Sequence, residues 1–585
     1  MQKITSRNRS PSSVDKSGKF DSHLSNREIG KTIASDKFPN TIDDFWFVIN
    51  PNVIINPFDF VSVENTYKTK TIGIVKHLQS SFIRSNYNDF EKVQNHKKEQ
   101  NRYPFVIDSG FESKAAVLAS VSIMANTIAE LENRKIAINF PVEAGKPVKY
   151  AKKDEIIFAL GTPKMNNPIP VGIINSTDGL QVPISLDISY VAGPDTAHVN
   201  ASGISGNRKT SYLLFLLFST YQTLKKHGNV SVIIFNTKED DLLHIHENNR
   251  KIKNSTKLLF DLLGLKTEPF KNVTYFLPRG RDGKPNSNHI PKNHKTFSYE
   301  LKDIYDRLDL LFPEIFDPKY NLTSITDYIS ESWPIQISSK ENIKNWTDLS
   351  EFIGYPEYIV SHKSSLLRFL GHLQRFRKSS LFIDKKVTST YLGKEIRNIS
   401  TSQVFVVDIA KISSLCEQEF VVGDVMKAID EIYSSGSTEF YDQYPDEHIK
   451  SNQRKKKKKQ INEKPKYVLI FIDEINRFMP KSFNDRINAV QDQVMKTLIA
   501  GKSRGTILFS AQQFKSQTDY RLHENIGLHV VAKLGDPELS KDPYSMIDKR
   551  TKKNISRLNK GELVMIHPSF RHPIKISFPP QILKK

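Results

Sequence analysis

"KYVLIFIDEINRFMP", residues 466–480, is an apolar run that stops on two adjacent carboxylates, Asp473 and Glu474. Continuous Val, Leu, Ile and Phe, rather than alternation, is the pattern of a strand covered by helices on both faces. Two carboxylates at the tip of such a strand repel each other unless a metal ion or a basic neighbour balances them. A phosphate-loop ATPase uses such a pair to place the first carboxylate on Mg²⁺ through water and the second on the attacking water. An acidic cap on a following helix is the competing reading.

Upstream, "HVNASGISGNRKTSYLLFLL", residues 198–217, is the candidate for the other half of such a site, a chance Lys-Thr-Ser at a helix start being the alternative. A phosphate loop follows a strand, offers backbone N–H groups to phosphates, and sends a lysine to the β and γ phosphates; its Ser or Thr hydroxyl serves Mg²⁺. The strict spacing is G-x-x-x-x-G-K-[ST]. Here it sets Gly203 first, Arg208 in place of the second glycine, then Lys209 and Thr210. A side chain at 208 must adopt whatever backbone angles the turn imposes, with Gly206 relieving part of the demand. Gly203, Ser205, Gly206, Asn207, Arg208, Lys209, Thr210 and Ser211 are the candidate ATP contacts, and Thr210 and Asp473 the candidate Mg²⁺ ligands. Downstream, "GKSRGTILFSAQQF", residues 501–514, carries a basic turn into a strand ending in Gln512 and Gln513. A glutamine at that tip can sense the γ phosphate or orient water; a merely polar strand end is the alternative.

Further apolar runs, SVIIFN (231–236), VTYFLP (273–278), QVFVVDI (403–409) and LHVVAKLG (528–535), extend the same grammar. Strands of this kind alternating with helices predict an α/β P-loop domain with a RecA-like parallel sheet, beginning near residue 193. Residues 297–377, with most of the amphipathic SSLLRFLGHLQRFRK, read as an inserted helical lobe that splits the core into 193–296 and 378–570, with a C-terminal tail at 571–585. Residues 41–192 instead show short β-rich runs broken by Pro, Gly and Asn, the pattern of a small barrel, interrupted by one expected helix near SKAAVLASVSIMANTIAELEN (113–133). Residues 1–40 are polar and basic and read as a flexible tail. The five consecutive lysines within 451–466 repel one another and read as a solvated loop, with contact to DNA as the alternative.

At 585 residues the chain is long enough for two to four domains of about 150 residues. A formal net charge of +21 favours a polyanionic partner, nucleic acid first, because clustered Lys and Arg release counterions from phosphate backbones, with a basic surface kept for solubility as the alternative. Cys416 is the only cysteine, so no internal disulfide forms and no cysteine cluster binds zinc, in keeping with a reducing cytoplasm. The longest apolar stretch, around 212–218, falls short of the roughly 18 residues of a membrane span. The paired histidines His244 and His246 have no third ligand at an obvious spacing.

Taken in order, these segments resemble the HerA branch of the HerA/FtsK superfamily of hexameric DNA-pumping ATPases, over residues 44–580. The β-rich region closing on PVGIINSTDGLQVPISLDISYVAGPDTAHVNASGISG is similar to that family's HAS barrel running into its phosphate loop. IDEINRFMP resembles its Walker B segment, GKSRGTILFSAQQ its basic turn and motif III strand, and SFRHPIKISFPP its closing strand and tail. The resemblance implies that Lys209 binds phosphate, Thr210 and Asp473 serve Mg²⁺, Glu474 is the general base and Gln512 the sensor. It also makes Arg504 a candidate arginine finger acting in trans, with Lys502 the alternative. The implied protein is a hexamer that translocates double-stranded DNA by ATP hydrolysis, with a nuclease or other effector docked on the barrel, in DNA end processing or anti-phage defence. A hydrolysis-poor scaffold that organises an effector on DNA is the other reading, and Arg208 is its best support. A second departure is FNTKEDDLL after the strand at 231–236, where relatives carry a Gly-Glu pattern. Lys238, Asp240 and Asp241 are expected on a surface turn there, contact with nucleotide or a neighbour being the alternative.

Overall fold

The computed structural model describes residues 27–83, 105–108, 111–131, 134–137, 139–193, 196–226, 229–249, 251–313, 321–338, 341–352, 363–386, 388–434, 464–482 and 488–584. Most of the expected tail and the run of five lysines lie outside the described residues. The chain divides into two compact units, Met1–Pro163 with Asn175–Val182, and Lys164–Ile174 with Pro183–Lys585.

The first unit is a closed antiparallel barrel. Its strands are β1 (Glu28–Ile33), β2 (Asp44–Ile49), β3 (Phe60–Glu64), β4 (Lys70–Ile83), β5 (Phe105–Asp108), β6 (Phe111–Asn126) and β7 (Pro147–Tyr150). They run in the order β2-β1-β7-β3-β4-β6, and a β2–β6 pairing closes the ring while β5 pairs only with β6. Phe45, Phe47, Val61, Val121 and Val148 fill the interior.

Two expectations are corrected here. Residues 28–33 are not tail: β1 pairs with both β2 and β7, with Ile29 buried, because the ring needs a strand between them. The alanine-rich stretch from 113 is not helical either; residues 111–126 form one long strand. Its backbone bonds to β4 on one side and to β2 on the other, and Leu118, Val121 and Ile123 are buried, so pairing and burial override the helix propensity of alanine.

The second unit is a ten-stranded sheet, assembled from β8 (Val199–Ser202), β9 (Val230–Asn236), β10 (Val273–Pro278), β11 (His294–Phe297), β12 (Val404–Asp408), β13 (Tyr467–Asp473), β14 (Thr506–Gln512), β15 (Leu528–Val531), β16 (Leu563–Ile566) and β17 (Ile574–Ile576). The order is β11-β10-β12-β9-β13-β14-β8-β15-β16-β17. From β11 to β15 every pairing is parallel, and β16 and β17 add an antiparallel edge. The central five, β15-β8-β14-β13-β9, are the RecA-like arrangement of a P-loop NTPase: the strand before the phosphate loop lies between the last strand and the sensor strand. Strands β9, β12 and β14 are buried along their whole length, which explains their uninterrupted apolar sequences.

Helix α1 (Lys209–Lys225) leaves the phosphate loop and buries Leu213, Leu216 and Leu217. Helices α2 (Leu415–Ser434) and α3 (Ala489–Arg504) pack together, and the region expected as an insertion contains the helices Asn321–Glu331, Trp346–Phe352 and Lys363–Arg377. Its first residue, Phe297, instead closes β11, a short strand too polar to be read from sequence. Residues 164–174 and 183–192, expected in the barrel, cluster with the second unit. There Tyr212 and Ser219 of α1 donate to the carbonyls of Val171 and Pro170. The expected C-terminal tail contains β17, the closing strand, and Leu583 bridges to Asn248.

Candidate functional site

The carboxyl ends of β8, β13 and β9 converge on one crevice, the place where an open α/β sheet binds ligands. Between β8 and α1 the loop is pinned on both sides: Gly203 N donates to the Gln513 carbonyl at 3.2 Å and Ile204 N to the Lys533 carbonyl at 3.1 Å. Gly203 is required twice over. Its φ is +153°, and a Cβ there would lie 2.6 Å from the Ala532 Cβ.

Arg208, in the place of the missing glycine, has φ +61° and ψ +20°, the left-handed conformation a glycine there would take. The turn therefore keeps its shape at a cost of about 1–2 kcal/mol for the non-glycine residue. The arginine side chain does not fold into the loop; it is exposed and leans toward Gly561, its Cδ and Nη1 each 3.6 Å from where a Cβ would stand. The Arg208 carbonyl still starts the helix by accepting from Tyr212 N at 2.9 Å. Ser205 and Gly206 are exposed, Asn207 and Ser211 half-buried.

Lys209 is only 6% exposed. Burial lowers its pKa, with Asp473 and Glu474 opposing that shift and Lys238 adding to it. Thr210 Oγ1 donates to Asp473 Oδ2 at 3.1 Å, joining residues 263 positions apart. Asp473 Oδ1 in turn accepts from Glu474 N at 2.9 Å, and Glu474 has φ +55°, a strained turn at the strand tip. The loop hydroxyl and the two carboxylates thus form one cluster.

Lys238 completes it, against the expectation of a plain surface turn. Its Nζ lies 2.7 Å from Glu474 Oε1 and 3.5 Å from Asp473 Oδ2. Burial opposes its charge, but the two carboxylates outweigh burial and hold its pKa above the ordinary lysine value. Asp240 behaves as expected for a surface position, half-exposed beside His244. The signal for Lys238 was topological: Phe235 is in register with Ile472, so the residues just past β9 reach the tip of β13. On the far side of Glu474, Arg477 Nη1 approaches Oε2 at 4.0 Å while its Nη2 donates to Gln418 at 2.6 Å.

Gln512 lies at the same strand tips, one position past the partner of Asp473 and opposite Ser202, but its side chain is engaged elsewhere, whereas Arg504 stands apart. Gln512 is fully buried at the end of β14, where its amide nitrogen donates to Asn200 Oδ1 at 2.8 Å and the Asn200 amide nitrogen donates back at 2.7 Å. That reciprocal pair ties β8 to β14 and occupies the side chain expected to sense phosphate. It is the neighbouring Gln513 whose carbonyl touches the loop. Arg504 ends α3, just before the first residue of β14, so a strand about 20 Å long separates it from the crevice of its own chain. Its Nη1 lies 3.7 Å from Asp430 Oδ1. Lys502 lies on the same helix, two residues earlier.

Thr210 and Asp473 present a hydroxyl and a carboxylate side by side, the sparse oxygen donor set that Mg²⁺ takes when phosphates and water supply its other ligands. Among the described residues no group of three or more His, Cys, Asp or Glu side chains is arranged to hold a metal, so an ion here would depend on a bound phosphate.

No protein-family model and no curated protein sequence matches the chain. Among solved structures it is similar to VirB4 of Thermoanaerobacter pseudethanolicus, at 12% identity over 71% of this chain and 97% of that one, with a TM-score of 0.41. It is also similar to the plasmid coupling protein TrwB in complex with the ATP analogue ADPNP, at 11% identity over 66% and 86%, TM-score 0.40. A third is the genome packaging NTPase B204 of Sulfolobus turreted icosahedral virus 2 in complex with ATP-γS, at 12% identity over 33% and 74%, TM-score 0.22. Likenesses at these scores carry no argument about function, which rests on the side chains described above.

Proposed function

We propose that this chain is an ATP-hydrolysing, ring-forming motor that binds and translocates double-stranded DNA. The observation that carries the reading is the contact of Thr210 with Asp473, with Glu474 beside it, at the mouth of a phosphate loop whose backbone retains its turn. In this reading the loop N–H groups from Ser205 to Ser211 and the Lys209 ammonium hold the ATP phosphates. Thr210 and Asp473 hold Mg²⁺, which neutralises charge on the phosphates when bound. Glu474 accepts a proton from the attacking water as general base.

Arg504, remote from the crevice of its own chain, faces a neighbouring subunit's nucleotide in a hexamer, with Lys502 as the alternative. A nuclease or other effector docks on the N-terminal barrel, in DNA end processing or anti-phage defence. Cytoplasmic residence accords with the single cysteine, and no helix among the described residues is long and apolar enough to cross a membrane.

The second reading, a hydrolysis-poor scaffold organising an effector on DNA, has one observation in its favour: Gln512 is engaged with Asn200 rather than free to sense phosphate. Both readings require DNA binding. The net charge of +21 supports contacts with phosphates rather than bases, so affinity for linear duplex should be independent of sequence. It should fall by about tenfold or more between roughly 50 and 200 mM salt. Fluorescence anisotropy with two unrelated duplexes checks this, and undetectable or salt-insensitive binding contradicts both readings.

A further inference from the structure

One carboxylate oxygen in the crevice is shared. Asp473 Oδ2 accepts from Thr210 at 3.1 Å, and Lys238 Nζ lies 3.5 Å from the same oxygen while reaching 2.7 Å to Glu474. On the functional reading above, on which this inference rests, Thr210 and Asp473 would hold Mg²⁺ and Glu474 is the base. A divalent ion and an ammonium group on one carboxylate oxygen repel strongly, so they exclude each other. We infer that Lys238 is a positioning residue that competes with Mg²⁺ for Asp473 and holds the Glu474 carboxylate until metal-bound nucleotide displaces it.

The local structure suits such a device. The turn after β9 is anchored through Asn236, whose side-chain amide donates to the Glu239 carbonyl at 2.8 Å and to Asp408 at 2.9 Å. The Lys238 side chain itself is 45% exposed and sits on a flexible four-carbon stem, so it can leave the carboxylates without disturbing the core. While the ammonium engages Glu474 Oε1, that oxygen is occupied by Lys238 rather than open to water. Displacement frees it, which ties the competence of the base to the arrival of the metal. Arg477, its Nη1 4.0 Å from the other Glu474 oxygen, leaves a positive charge beside the carboxylate afterwards.

The test uses Mn²⁺ in the presence of saturating ADP, with free Mn²⁺ followed by electron paramagnetic resonance, on the full chain and on Lys238→Met and Lys238→Arg. Lys238→Met should bind Mn²⁺ about two- to fivefold more tightly than the parent, and Lys238→Arg like the parent. The Mg²⁺ concentration for half-maximal phosphate release should fall in Lys238→Met by a similar factor. A merely structural role gives the opposite sign, because a damaged site binds metal more weakly. Mn²⁺ binding by the parent with no tightening in Lys238→Met overturns the competition alone. Absence of Mn²⁺–ADP binding in parent and variants alike overturns the nucleotide-site reading and the competition with it.

Discussion

Glu474→Gln lowers the rate of ATP hydrolysis by about a thousandfold while leaving nucleotide affinity within a few-fold of the parent; single-turnover phosphate release and a fluorescent-nucleotide titration measure the two quantities. The size follows from the typical contribution of a positioned general base, about 10²- to 10⁴-fold. Glutamine is the same shape and keeps the amide-side geometry, but it takes no proton. The side chain is 23% exposed and contacts solvent-accessible Lys238 rather than the core, so the exchange does not threaten the fold. The strained backbone at φ +55° is carried by either residue equally. Hydrolysis within about fivefold of the parent removes Glu474 from the role of base.

Lys209→Met is the second large effect, and it separates binding from stability. An ammonium donating to phosphate oxygens contributes about 1.5–3 kcal/mol per charged hydrogen bond, so its loss weakens ATP by about a hundredfold. The same residue is a burden to the empty fold, because it is 6% exposed and burial works against its charge. An apolar side chain of similar length relieves that burden. The variant should therefore lose nucleotide affinity while its melting temperature without nucleotide stays level or rises. A melting temperature that falls together with affinity shows that Lys209 holds the loop rather than the ligand.

What the sequence could disclose follows from how local each feature is. The core strands were legible because parallel strands covered on both faces need continuous apolar residues, and the runs at 231–236, 273–278 and 403–409 coincide with β9, β10 and β12 to within one residue at each end. The demand on residue 208 was also legible, since loop spacing alone requires a turn conformation there, and Arg208 adopts it. Strand β6 was misread because its alanines favour a helix in isolation and only its partners β4 and β2 make it a strand. β1 was hidden in a polar tail because six residues with one fully buried apolar side chain give almost no periodicity.

The site divides in the same way. Lys209, Thr210, Asp473 and Glu474 carry their spacing in the chain, and the fold brings them together. Lys238 is placed by the register of β9 against β13, and the partner of Gln512 is 312 residues away, so neither contact has a local signature. Side chains at strand tips can be located from sequence, but what they touch depends on strand order.

The measurement that tests the central claim most directly is phosphate release by the full chain with and without linear duplex DNA, alongside Glu474→Gln and Arg208→Gly. The account predicts turnover in the parent that DNA stimulates several-fold, that Glu474→Gln abolishes, and that Arg208→Gly retains, since the loop already has the backbone a glycine would give it. No turnover in the parent under either condition, with turnover appearing in Arg208→Gly, contradicts it and leaves a nucleotide-gated scaffold in place of a motor.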